Sequence, residues 1–129
     1  MRAALLIVLG LAIGIIGTVF TMQALSQRNP VPQALMVTMG FHRQQLKLAV
    51  KGQHCEATAN LDQLQHMQLI AADIPAVFPN APKPFQDLAG HLHAALLTAA
   101  QSAPADCPAL AAALKPVDQV CSECHQHYR

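Results

Sequence analysis

The sequence predicts an all-α protein. Alanine and leucine dominate it, and β-branched residues are sparse outside the N-terminal segment. Apolar residues recur at spacings of three and four rather than in the alternation of a half-buried strand. Four such stretches follow one another with short connections. The expected architecture is therefore an antiparallel, up-down-up-down four-helix bundle preceded by an N-terminal transmembrane or signal helix. The expected limits are 1–26 for that segment, 27–32 for a linker and 33–129 for the bundle.

Arg2 is followed by 22 residues, 3–24, without a charge. That is long enough to span a bilayer and longer than the roughly 7–15 apolar residues of a cleaved signal. The segment reads as an uncleaved anchor. The small residues Ala24 and Ser26 leave a signal cleaved after Ser26 as the alternative, and both readings imply export. Arg2 is opposed by Arg28, so charge alone does not orient the segment. Pro30 and Pro32 are expected to keep the linker from continuing the helix, leaving Met36 in the first turn of the next one.

The first bundle helix is expected over 33–50, with Met36, Met39, Arg43, Leu46 and Val50 on its inner stripe, Leu35 beside them and Gly52 as its stop. The second is expected over 56–72, with Leu61, Leu64, Met67, Ala71 and Ile74 inward. Ile74-Pro75 and the proline-rich run from Phe78 to Pro84 read as loop. The third, over 85–100, carries Phe85, Leu88, Leu92, Leu96 and Ala99 on one stripe. The fourth opens at Asp106 or Cys107, with Pro108 in its first turn. Its stripe of Leu110, Leu114 and Val117 runs on into Cys121 and Cys124, with Pro116 expected to kink or break it.

That stripe ends in Cys121-Ser122-Glu123-Cys124-His125, and Cys-x-x-Cys-His is the attachment signature of a c-type haem. Thiols three residues apart share a helical face, where each can add to a vinyl group of one porphyrin. His125, one residue on, can place an imidazole nitrogen on the iron as proximal ligand. Attachment of this kind belongs to an oxidising compartment. The expected location is thus the bacterial periplasm, anchored to the inner membrane or soluble if the segment is cleaved. A covalently held apolar cofactor would also stabilise a domain of only about 100 residues, which is short of core. The bare Cys-x-x-Cys also admits a structural disulfide, a redox pair or half a zinc site. The βαβ context of a redox pair is missing, and His127, Cys55 and Cys107 stand in no recognised zinc spacing.

The net charge of +1 gives no argument for nucleic acid or an anionic surface, and the absence of Trp removes a base-stacking platform. No set of nucleophile, base and orienting group is evident, so enzymatic activity is not expected. His42, His66, His91 and His93 read as solvated or hydrogen-bonded surface residues, His127 as pointing away from the iron, Met39 and Met67 as core, and Glu123 as solvated.

The chain resembles the cytochromes c′, four-helix bundles with Cys-x-x-Cys-His near the C-terminus, often followed by a Tyr-Arg like Tyr128-Arg129. Its first helix, ending Ala49-Val50-Lys51-Gly52-Gln53, is similar to the first helix of that family. The resemblance covers about 33–129 and is most specific at the two ends. It implies haem c on Cys121 and Cys124, His125 as proximal ligand, Arg129 near the proximal face and Met36 at the distal position. The chain departs from the family in lacking the customary Trp, in placing Pro32 where an early Arg is common, and in its N-terminal anchor.

Two functions are compatible with this site. One is a five-coordinate haem with an apolar distal pocket for a small gas such as nitric oxide. The other is a six-coordinate carrier, with Met36 as sixth ligand, passing electrons among respiratory partners. A third reading is a haem-free structural disulfide protein. A homodimer is a further expectation. Of the four cysteines, Cys55 and Cys107 remain once the motif is set aside. Both open helices at the same end of the expected bundle, so they are expected to pair, with free thiols or pairing between chains as the alternatives.

Overall fold

The computed structural model describes the backbone over residues 2–26 and 30–128 and the side chains over 7–23 and 30–128. It contains five helices and, among the described residues, no strand: α1 (Arg2–Ser26), α2 (Val31–Gly52), α3 (Ala57–Val77), α4 (Lys83–Gln101) and α5 (Cys107–Tyr128). The all-α class is therefore as predicted. The chain divides into two compact units, Met1–Val31 and Pro32–Arg129.

In the first unit, Ile7, Val8, Ile13, Ile16 and Phe20 are all exposed, and α1 has no polar face to set against them. Its hydroxyls are satisfied within the helix: Thr18 Oγ1 donates to the Gly14 carbonyl at 2.7 Å, and Thr21 Oγ1 to that of Gly17. Among the described residues, no helix is long and apolar enough to cross a membrane. The span expected over 3–24 therefore rests on the sequence alone. The side chains of Ala24 and Ser26, and Arg28 in the expected linker, lie outside the described residues.

In the second unit α2 to α5 share one core, in which Leu46, Leu64, Met67, Leu96, Leu110 and Val117 are fully buried. Every one of these lies on a stripe that the spacing predicts, whereas Leu61 and Leu88, expected on the same stripes, are only half-buried. The helix ends differ from expectation, and proline is the main cause. α2 starts at Val31, so 31 and 32 of the expected linker are helical; Pro32 falls in the first turn, where its missing N–H is not needed. Met36 consequently lies in the second turn, not the first. α3 runs through Pro75 to Val77. Pro75 is exposed, Ile74 beside it is buried, and the last turn closes through Phe78 N–H to the Ile74 carbonyl at 3.0 Å. Burying Ile74 stabilises by about 2–3 kcal/mol, enough to offset much of the roughly 3 kcal/mol that an interior proline costs. α4 opens at Lys83 with Pro84 in its first turn. α5 is capped by Asp106, whose Oδ1 accepts from Ala109 N–H at 2.7 Å, and it continues through the exposed Pro116 without the expected break.

The stop of α2 is also displaced by one residue. Gly52 is still helical, and the left-handed residue is Gln53, with φ of 57°. Its N–H reaches the Val50 carbonyl at 3.3 Å, and His54 N–H reaches that of Ala49 at 3.0 Å, a Schellman closure with glutamine where glycine is usual.

Cys55 and Cys107 form a disulfide, with Cα atoms 5.2 Å apart. Next to it, buried Asn60 donates from Nδ2 to the Pro104 carbonyl at 3.0 Å. The starts of α3 and α5 are thus fixed to one another by a covalent bond and a buried hydrogen bond.

Two stability changes are expected from these features. Cys55→Ala with Cys107→Ala removes a cross-link across a sequence separation of 52 residues and should lower unfolding free energy in urea by about 2–4 kcal/mol. Gln53→Gly should raise it by about 0.5–1 kcal/mol, because a left-handed glutamine pays a steric penalty that glycine does not. A neutral or negative result for the glycine variant would mean that the side-chain bond from Gln53 Nε2 to the Val50 carbonyl, 2.9 Å, outweighs that penalty.

Candidate cofactor site

The apolar stripe of α5 leads directly to the site. Leu110, Leu114 and Val117 are buried, and one turn further on Cys121 and Cys124 are half-buried free thiols packed against the core. Here the interior widens into a cavity of about 430 Å³. Met36, Met39, Gly40 and Arg43 line it from α2, Phe85, Ala89 and Leu92 from α4, and Cys121, Cys124 and His125 from α5. Phe85 is held in place by two other rings, Phe78 at 5.1 Å and Tyr128, edge-on, at 5.3 Å. A volume of this size with mostly apolar walls and a few convergent polar groups is the usual form of a cofactor or small-molecule site.

Electrostatics bound the cavity on its inner side. Arg43 Nε donates to Asp118 Oδ1 at 2.6 Å, and Lys47 Nζ lies 2.9 Å from Asp118 Oδ2, joining α2 to α5. Burial pushes the Asp118 carboxyl up, but the hydrogen bonds from Arg43 and Lys47 outweigh it and hold the group below its ordinary value. The Cys121 thiol is pushed up chiefly by burial, against a smaller lowering by the Arg43 charge, and Cys124 is pushed up by burial and by Glu123. Both therefore stand as thiols at neutral pH, not as thiolates.

Met36, Cys121, Cys124 and His125 thus border the same cavity. Arg129 lies outside the described residues. The zinc alternative loses two of its candidate ligands, since Cys55 and Cys107 are bonded to each other. His127 belongs with His91, Glu123 and Tyr128 to a separate groove between α4 and α5. His42 is bonded through Nδ1 to Gln63 Oε1 at 2.8 Å and stacks on His66, ring centroids 4.9 Å apart. Among the described residues there is no group of three or more His, Cys, Asp and Glu arranged to hold a metal ion. A haem iron does not need one, since the porphyrin supplies four of its ligands and the protein one or two.

Three residues of the site carry no role in the sequence reading. Arg43 stands on the inner stripe, and a charge on an apolar stripe signals a partner, but Asp118 is 75 residues away and nothing local announces the pairing. Gly40 interrupts no stripe, so periodicity does not mark it. Comparison with protein-family models, curated proteins and solved structures finds no match.

Asp118 gives the site a pH dependence of defined sign. Its folded pKa lies below its unfolded value, so its stabilising contribution is present above about pH 3.9 and is lost as pH falls through the folded value. About a third of each of the Arg43 and Asp118 side chains reaches water, which limits the contribution to roughly 1 kcal/mol. Asp118→Asn should therefore destabilise at pH 7 by about that amount and flatten the acid limb of the stability curve below pH 4. An unchanged acid limb would show that Asp118 is not held below its ordinary value.

Proposed function

We propose that the chain is a c-type haem protein of the cytochrome c′ kind, with α2 to α5 as an antiparallel up-down-up-down bundle and 3–24 as a membrane anchor that keeps the domain in the periplasm. One observation carries the reading: a single apolar cavity is bordered by both thiols of a Cys-x-x-Cys, the imidazole that follows them and a thioether from the helix opposite. The residues fit the group. Each thiol would add across one vinyl group, its sulfur bonding to one carbon and its hydrogen passing to the other, with no oxidant required. His125 would supply the proximal nitrogen. Met36, Met39 and Leu92 would keep water from the macrocycle. When bound, the haem supplies one-electron redox chemistry and an iron able to take a small neutral gas.

The anchor is supported by the 22 uncharged residues over 3–24. The function favoured is binding of a small gas such as nitric oxide at a five-coordinate haem, with periplasmic electron transfer alongside it. A specific observation keeps a second reading in play. Met36 lies in the second turn of α2, where the backbone is hydrogen-bonded, so end-fraying gives no reason to discount it as a sixth ligand. With Met36 bound, the protein would be a low-spin electron carrier among respiratory partners.

Two measurements on protein from a haem-maturing host test these readings. Haem-stained denaturing electrophoresis should show covalent haem in the wild type and none in Cys121→Ala, Cys124→Ala; a colourless wild type would refute the haem. The ferric spectrum should be high-spin and nearly unchanged in Met36→Ala. A low-spin wild type whose sulfur-to-iron band disappears in Met36→Ala would establish the electron carrier instead.

A further inference from the structure

We infer that Gly40 is the point at which the face of the bound macrocycle meets α2, so that its missing side chain sets the clearance of the cavity for a flat, rigid ligand. The inference rests on the haem reading above and adds a residue to it. Gly40 is in the interior of α2, where glycine weakens a helix relative to alanine. Its backbone is ordinary, since no glycine among the described residues has a positive φ. Nor is it required for helix packing: a Cβ built there would meet nothing within 4 Å. Neither of the usual reasons for a helical glycine therefore applies, and what remains is the space beside it.

That space belongs to the cavity, which Gly40 lines one turn from Met36 and one turn from Arg43. The Arg43–Asp118 ion pair sets the level of α2 against α5. With the two helices antiparallel, three residues toward the N-terminus from Arg43 and three toward the C-terminus from Asp118 bring Gly40 and Cys121 to the same height. A thioether at Cys121 would fix one edge of the porphyrin at that height. A ring lying between the two helices at that height would present its face to α2 where no side chain stands in its way. A larger residue at 40 would force the macrocycle to tilt or α2 to move outward.

The fold supplies its own control. Gly90 in α4 is also mid-helix and also has nothing within 4 Å of a built Cβ, but it does not line the cavity. The experiment compares thermal melts and ferric and ferrous spectra of haem-loaded wild type, Gly90→Ala, Gly40→Ala and Gly40→Leu. Gly90→Ala should raise Tm by about 4 °C, as expected for helix propensity alone, and leave the haem bands in place. Gly40→Ala should forfeit that rise, and Gly40→Leu should lower Tm and shift the Soret band. The inference is overturned if Gly40→Ala gains as much as Gly90→Ala with unmoved bands. It is equally overturned if Gly40→Leu leaves the spectrum untouched. Should Gly40→Leu fail to fold, the comparison of the two alanine variants decides the matter. A wild type without covalent haem refutes the underlying reading first, and this inference with it.

Discussion

The arrangement of the domain depends on the Cys55–Cys107 cross-link. It ties the first turn of α5 to the approach of α3, and Asn60 reinforces it with a buried bond to Pro104. With that end fixed, the helices need not be packed tightly along their whole length. The core is fully closed around Leu46, Leu64, Leu96 and Leu110, and it loosens only beyond Val117, where the cavity begins. A domain of about 100 residues buries too little surface to support a wide apolar cavity by packing alone. Covalent closure stands at one end, and on the proposed reading a ligand of matching shape at the other would supply what the core lacks.

α2 is the helix that this division of labour affects most. Its inward residues Met39 and Leu46 are buried, but its lateral attachments are polar: Arg43 and Lys47 to Asp118 on one side, His42 to Gln63 on the other. Such contacts fix register without drawing the backbones together, since long side chains span the gap. The cavity lies where this looser wall faces α5. The same ion pair that joins the helices lies close enough to Cys121 to influence its thiol, so the positioning of α2 and the acidity of that thiol are linked through Arg43 and Asp118.

What the sequence makes legible here follows from what periodicity can encode. The inner stripes are readable because burial imposes the helical repeat on Leu, Met and Ala, and Leu64, Met67, Leu96 and Val117 are buried as the spacing predicts. The pairing of Cys55 with Cys107 is readable because, once the Cys-x-x-Cys pair is set aside, only these two cysteines remain and both are expected to open helices at one end of the bundle. Prolines mislead for a definite reason: a sequence shows the missing N–H of Pro75 and Pro116, but not that each ring faces outward while buried neighbours hold the helix together. Gln53 misleads in the same way, since the left-handed position is set by where α2 runs out of core and not by where the glycine stands. Asp118 and Gly40 are invisible for another reason. One acts through a partner far along the chain, and the other acts through the absence of atoms.

On the proposed reading, the distance between α2 and the macrocycle governs coordination as well as fit. Met36 and Gly40 are one turn apart and border the same cavity. If bare backbone at Gly40 lets α2 lie against the ring, a methionine one turn away is brought toward the iron with a long, unbranched side chain able to adjust to it. If the ion pair at Asp118 instead holds α2 slightly away, the same side chain covers the iron without bonding to it, and the open face is left to a small gas. A glycine with no side chain and an aspartate whose oxygens are taken up by Arg43 and Lys47 would thus bias the choice between carrier and gas receptor by setting the position of a helix.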